Sequence, residues 1–273
     1  METVNCQICN SSNSKEYIKV KDRFSISNDK FSIVKCYCGF IFLNPRPTEK
    51  EIVKYYNTVD YDPHHSTSIF YKIAQKFSFK WKYSLIKSLI TNKAKVLDYG
   101  AGDGSFSKYL ITKNYTVDTY EPILNNEVST IANKKYDLIT LWHSLEHMHN
   151  INDEIEIIKN HLNENGKILI AVPNIDSVDA RIFKDNWVAY DAPIHLYHFN
   201  YSTIKDLLNK HNIRINSTTP IIQDTFFNIF LSLRDTIFFI KAFKLLFLSI
   251  YTFFIIKFNS KYSSSNIYIC TIK

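Results

Sequence analysis

Glycine is scarce in this chain. Five occur among 273 residues, about a quarter of what an average share near 7% would give. Backbone that needs left-handed conformations is therefore rationed, yet Gly100, Gly102 and Gly104 fall within five residues of each other. That window needs backbone freedom. Cysteine does not offer a disulfide framework: the count of five is odd, and the opening METVNCQICN has neither a basic nor an apolar signal region. A cytoplasmic protein with reduced thiols is expected. Long hydrophobic runs are also missing. The longest charge-free run in the most apolar segment, Leu245–Ile256, has twelve residues, short of the ~20 that span a bilayer. Lys and Arg outnumber Asp and Glu by 33 to 26 but are scattered, without the basic cluster and stacking aromatics of a nucleic-acid surface.

What is present is enough for a full core, with 45% hydrophobic and 15% aromatic residues. The length suits one large domain or two unequal ones, at roughly 150 residues each. Residues 1–47 hold Cys6, Cys9, Cys36 and Cys38, with Phe31–Val34 and Phe40–Leu43 as short strands. Four thiols so crowded point to a tetrahedral zinc site, although Cys36-Tyr-Cys38 is one residue tighter than the usual C-x2-C partner. Asn44-Pro-Arg-Pro47 marks a boundary, and Thr48-Glu-Lys-Glu51 reads as a capping box. Residues 48–92 form a helical linker or lid. Within it, 67–92 carry Phe70, Ile73, Phe77, Trp81, Leu85 and Leu89 at helical spacing.

From residue 95 the pattern repeats as strand, turn and helix. Strands are expected at 95–98, 115–120, 136–142, 167–172, 213–217 and 267–272. Helices are expected at 105–111, 152–162 (closed by Gly166) and 203–210. Such alternation implies an α/β, largely parallel, doubly wound sheet spanning 93–220. An apolar helical insertion at 221–262 precedes the last core strand, 263–273, where Cys270 is expected to be buried.

The turn Asp98-Tyr-Gly100-Ala-Gly102-Asp-Gly104 follows an apolar strand and precedes a helix. Ligands of doubly wound sheets bind at such strand ends. Glu121, ending the next strand, suits the two hydroxyls of a ribose. A dinucleotide fingerprint would need glycine where Ser105 stands, and Asp98 is a poor neighbour for a pyrophosphate. An amino-acid moiety fits it better, which favours S-adenosylmethionine.

Taken in order, these pieces resemble the class I S-adenosylmethionine-dependent methyltransferases, in the branch with an N-terminal zinc-binding module. The resemblance is carried by Cys6–Cys9, the run Cys36–Pro47, and Val96–Gly104. It continues through Tyr136–His147, Gly166–Asn174 and Pro193-Ile-His195-Leu-Tyr-His198-Phe199. It implies a Rossmann-like sheet of seven strands, the last antiparallel, and a zinc-ribbon-like first module. It also implies that Asp98, Gly100, Ala101 and Gly102 line the methionine part of the cofactor and Glu121 its ribose, with Trp142 and His143 beside the sulfonium. The 15 residues from 122 to 136 are short for the family's next helix and strand, so that helix is expected to be trimmed.

His143-Ser-Leu-Glu146-His147 also matches H-x-x-E-H, an inverted zinc-protease motif. That chemistry needs both histidines on a helix and a distant third ligand, and no Glu follows Glu164. The general-base candidates are His143, Glu146, His147 and His195; the alternative for Glu146 and His147 is hydrogen bonding to the scaffold. His198 is expected to bond backbone. The acceptor is expected to be a sugar, nucleotide sugar or lipid-linked glycan. On a helix through 226–258, Arg234, Lys241 and Lys244 would share one side, giving either a peripheral contact with the inner face of an anionic membrane or a packed helix on the core or on a homodimer partner. The competing readings are a nicotinamide-dependent oxidoreductase and a non-catalytic zinc-module scaffold.

Overall fold

The computed structural model describes residues 1–23, 26, 30–56, 69–91, 93–122, 130–234 and 236–273. In chain order its elements are β1 (Ser14–Lys21), β2 (Lys30–Cys36), β3 (Ile41–Leu43), α1 (Glu49–Tyr56) and α2 (Ile69–Leu89). The core follows with β4 (Lys95–Tyr99), α3 (Ser105–Ile111), β5 (Thr116–Tyr120), β6 (Tyr136–Trp142), α4 (Ile151–Asn160), β7 (Leu162–Pro173) and α5 (Val178–Phe183). Last come β8 (Tyr197–His198), α6 (Tyr201–Lys210), β9 (Ile213–Pro220), α7 (Ile222–Ser232), α8 (Phe238–Phe258) and β10 (Ser265–Ile272).

The main sheet runs β5-β4-β6-β7-β10-β9. β4 pairs in parallel with β5 and β6, and β6 with β7, whereas β10 is antiparallel to both neighbours. Among the described residues this sheet has six strands, not seven. The expected trimming of 122–136 falls largely on 123–129, outside the described residues. Strand alternation sorts side chains to two faces. Leu97, Ile139, Leu141 and Ile170 join Ile155 and Leu207 on one side, while Val96, Leu138 and Leu169 join Ile86, Phe106 and Leu110 on the other. Both faces are thus buried, as parallel strands require. The chain leaves β4 for β5 on one side and then crosses to β6 on the other. The strand ends of β4 and β6 are therefore the switch point, where a crevice opens.

The cysteine-bearing segment is knitted to that core. A second sheet runs β1-β2-β3-β8, and β8 lies just after His195. Ile41 and Phe42 pair with His198 and Tyr197, and Phe40 stacks on Tyr197 with ring centroids 5.7 Å apart. The Thr48–Glu51 capping box forms: the Thr48 N–H donates to Glu51 Oε2 at 3.0 Å, and the Glu51 N–H to Thr48 Oγ1 at 3.4 Å.

Several expectations are corrected. β1, with its polar sequence, had no counterpart in the strand pattern. Gly166 does not close a helix: it lies inside β7, within the bulge where the partners of Tyr136 and Leu138 jump from Leu162 to Lys167. Ile73 and Phe77 of α2 are exposed, and its packing comes from Phe79, Trp81, Ile86 and Leu89 nearer its C-terminus; the side chain of Phe70 lies outside the described residues. The helix through 226–258 breaks between Ser232 and Phe238, so Arg234 lies off α8 and does not share a side with Lys241 and Lys244. α8 is not a core helix either. Only Thr252 and Ile256 are buried, while Phe239 is 83% and Phe258 88% exposed. It is long and apolar enough to cross a membrane by length and composition. Cys270 is fully buried in β10, as expected.

Candidate active site

The turn after β4 is shaped by its glycines. Gly100 has φ +79°, and a Cβ there would sit 2.3 Å from the Ser144 Cβ, so the loops after β4 and β6 can touch only through a bare backbone. Its N–H donates to the Tyr120 carbonyl at 2.7 Å, and the Ser144 hydroxyl to the Tyr99 carbonyl at 2.9 Å. Gly102, at φ +55°, faces open space, and its N–H donates to Glu121 Oε2 at 2.8 Å. The acid expected to meet a ribose is thus held against the turn expected to meet the amino acid. Buried Asp98 accepts from the Ser107 hydroxyl at 2.6 Å and the Thr140 hydroxyl at 2.9 Å. A carboxylate has further lone pairs for one more donor. Burial pushes its pKa up, and those hydroxyls and the nearby Lys82 oppose the rise.

Asp98, Gly100, Ala101, Gly102, Glu121, Trp142, His143, His147 and His195 line one cavity of about 850 Å³. That is near the upper end of the roughly 300–1,000 Å³ usual for small-molecule sites. In its wall, Trp142 presents a buried ring N–H with no hydrogen-bond partner among the described residues, and the Lys82 amine lies 4.4 Å from the Trp142 ring centroid. Burial lowers the Lys82 pKa against the pull of Asp98 and Asp224.

His143 holds a left-handed backbone, φ +54°, directly after β6. Its Nε2 is 3.0 Å from Asp224 Oδ2, and its Nδ1 is 3.4 Å from Glu146 Oε1. Burial alone would lower its pKa, but the two carboxylates overcome this and hold it up to about 10. His143 is an imidazolium at neutral pH, and this removes it from the bases. Glu146, with no exposed surface, is held ionised: burial would raise its pKa, but His143, His195 and His147 bring it down.

His147 and His195 face each other edge to face, with ring centroids 4.7 Å apart. His147 Nδ1 lies 3.1 Å from the Ile194 carbonyl and 3.0 Å from the Tyr56 hydroxyl. His195 Nδ1 lies 2.9 Å from the Ala189 carbonyl. Burial and the neighbouring His195 lower the His147 pKa to about 4, so that ring is neutral. The backbone bond expected of His198 is not made by its Nε2: that buried nitrogen has no hydrogen-bond partner among the described residues, and the ring packs edge-on against Tyr190.

The four N-terminal cysteines converge. Cys6 and Cys38 Sγ lie 3.5 Å apart, as do Cys9 and Cys36, and all four lie within 4.8 Å. Zn–S bonds near 2.3 Å put the edges of an S4 tetrahedron at about 3.8 Å, so the donor set fits zinc.

Sequence reasoning missed Lys82, Asp224 and Tyr56. An acid at the head of an apolar segment was the available signal for Asp224. Nothing local marks Lys82 or Tyr56, because each reaches the cavity by helix packing.

Phosphate chemistry finds no cradle at α3. There Asp103 Oδ1 accepts the Ser105 N–H at 3.0 Å, setting a negative charge where a pyrophosphate would have to sit.

No curated protein sequence matches the chain. Among solved structures, the cyclase SpnF superimposes with TM-score 0.51 at 12% identity, over 83% of this chain and 97% of its own. The magnesium protoporphyrin IX methyltransferase of Synechocystis PCC 6803, with S-adenosylhomocysteine bound, gives TM-score 0.49 at 11% identity, over 83% of this chain and 100% of its own. The 1,6-didemethyltoxoflavin N1-methyltransferase of Burkholderia thailandensis gives 0.47 at 16% identity, over 71% and 89%. The SpnF likeness speaks to the fold alone. The methyltransferase domain model matches residues 69–218, more than half of the sequence. The chain belongs to that methyltransferase domain family, as an S-adenosylmethionine-dependent enzyme.

Proposed function

We propose that this enzyme methylates a sugar or glycan precursor, nucleotide- or lipid-linked, at a membrane surface, with a structural zinc in the cysteine cluster. The supporting observation is the single cavity that runs from the Gly102–Glu121 strut to His147 and His195, walled by Asp224, Phe227, Asn228 and Leu231 of α7. One end has the acids and bare backbone suited to the cofactor. The other has imidazoles and carboxylates suited to a polyhydroxyl acceptor. α7 leads directly into the exposed apolar helix α8.

The bound cofactor supplies a methyl group on a sulfonium. The chain's part is positioning and desolvation. Glu121 and Asp98 would take the hydroxyls and the ammonium, and Trp142 would wall the space between them and the acceptor. The cofactor would supply the methyl group as an electrophile with S-adenosylhomocysteine as the leaving group, and the acceptor would supply the O, N or C electron pair. The acceptor's proton leaves at the His147–His195 end, since His143 already carries one. The cysteine cluster acts at a distance, bracing β3 against β8 and so the loop that carries His195.

Calorimetric titration with S-adenosylhomocysteine tests the cofactor half. Micromolar binding is expected, with loss in Glu121→Ala and weakening in Asp98→Asn while circular dichroism stays native. No binding by folded wild-type protein would overturn it and favour the scaffold reading. Transfer of labelled methyl to a panel of nucleotide sugars and membrane glycolipids tests the acceptor half.

A further inference from the structure

Beyond the cofactor site lies a cluster whose chemistry methyl transfer alone does not use. Glu146 and His147 belong to the short turn after β6, and His195 comes from the loop before β8. One donor atom from each lies within 4.8 Å of the others. We infer that Glu146, His147 and His195 form a binding site for a divalent transition-metal cation at the acceptor end of the cavity.

Three observations carry this. First, Glu146 has no exposed surface, and neither of its carboxylate oxygens accepts a hydrogen bond among the described residues. Its nearest cation, His143 Nδ1, stands off at 3.4 Å and is shared with Asp224. Burying an ionised carboxylate without donors is costly. Scaffold hydrogen bonding, the plain alternative for this residue, does not account for the carboxylate among the described residues.

Second, both imidazoles are set as ligands. The Nδ1 of His147 meets the Ile194 carbonyl and that of His195 the Ala189 carbonyl. A nitrogen facing a carbonyl must be the N–H donor, so Nε2 is the nitrogen that each ring has left to offer as a ligand atom. Ligating histidines are oriented in this way, by donating their other N–H to a carbonyl or carboxylate.

Third, the cluster is not sealed. His147, His195 and Asp191 line the cavity, and Asp191 Oδ2 lies 3.7 Å from His195 Nε2, anchored by Arg23. A two-histidine, one-carboxylate set with an open side suits Zn2+, Mn2+, Fe2+ or Co2+ better than the all-oxygen preference of Mg2+. The open side faces the space left for the acceptor, so an acceptor oxygen would complete the coordination. That last step rests on the methyl-transfer reading; the ion site does not. With the ion in place, the acceptor's proton would still leave at this end of the cavity, from an oxygen made more acidic by the cation, and not onto a ligating nitrogen of His147 or His195.

The test uses the full chain with zinc kept in its cysteine cluster and the Glu146–His147–His195 site first emptied by dialysis against a weak chelator until one zinc per chain remains, then titrated with Mn2+ and followed by the loss of the free-ion electron paramagnetic resonance signal. Thiolates bind Mn2+ poorly, so the cysteine cluster does not compete. About one Mn2+ per chain is expected, with affinity weakened at least about tenfold in Glu146→Gln and in His195→Ala. Folding of each variant is checked by circular dichroism; should Glu146→Gln not fold, His195→Ala carries the test. Wild-type protein that takes up neither Mn2+ nor Co2+ overturns the proposal, as do folded variants that bind as tightly as wild type. S-adenosylhomocysteine titrated in parallel separates the two readings. Cofactor binding without Mn2+ uptake defeats only the ion site, and Mn2+ uptake without cofactor binding defeats only the transferase reading.

Discussion

Asp224 Oδ2 sits 3.0 Å from His143 Nε2, an ion pair that ties α7, the first helix of the apolar C-terminal arm, to the end of the central strand β6. His143 is left-handed and cationic at that point, with its pKa held up to about 10. A group whose pKa is raised on folding contributes stability that is complete below its unfolded value, about 6.5, and is lost as pH rises through the folded one. Asp224→Asn should therefore lower Tm most near pH 6, and the gap to wild type should narrow above about 6.5 and close as pH rises through about 10. A constant gap from pH 7 to beyond 10 would show that His143 is neutral. Nitrogen-detected NMR of the imidazole gives the same answer directly, with the His143 pKa falling in the variant.

The two turn glycines should fail in different ways. Gly100→Ala brings a Cβ to 2.3 Å from Ser144 Cβ at φ +79°, so the loops after β4 and β6 must separate. Gly102→Ala meets nothing, and its cost is the left-handed backbone, about 1–2 kcal/mol. Gly102→Ala should fold with a modest drop in Tm yet lose S-adenosylhomocysteine affinity, because its Cβ projects where the ligand must approach. Gly100→Ala should lose several times more stability. Equal thermal shifts in the two would contradict this division.

These sites also show what the sequence could convey. The glycine turn was legible because φ above zero has a composition signature and because strand, turn and helix each have a period. Glu121 was legible as the acid ending the next strand. Lys82 was not, because a lysine's neighbours across a fold leave no trace in its own helix. Glu146, His147 and His195 were legible as separate candidates but not as one cluster. A gap of 47 residues separates His147 from Ile194, beside His195, and the β3–β8 pairing that fixes this loop is non-local. Gly166 misled because glycine signals a helix end and a strand bulge alike.

The cysteine cluster and the His195 loop are joined by β3 and β8, so loosening one should be felt in the other. Purified protein is expected to hold about one zinc per chain. Chelation, or Cys9→Ser, should raise hydrogen exchange through residues 194–199 and lower Tm. Affinity for S-adenosylhomocysteine should change little, since the Gly100–Glu121 contacts lie on other strands. Exchange confined to residues 1–20 after metal removal would mean that the cluster supports only its own module.

The exposed face of α8 is aromatic and basic at once. Phe239, Phe243, Phe247, Phe254 and Phe258 stand out with Lys244 and Lys257, and no Asp or Glu follows Asp235 in the chain. A surface of this kind matches an anionic bilayer, with lysine stems lying along the headgroups. Vesicles containing phosphatidylserine should float the protein at low salt, and neutral vesicles should do so weakly. At about 1 kcal/mol per basic residue near the surface, Lys244→Glu with Lys257→Glu should weaken binding by tenfold or more. Raising the salt should weaken the wild type in the same direction. Failure to float, with a dimer in solution at every concentration tested, would assign this face to a second copy of the chain.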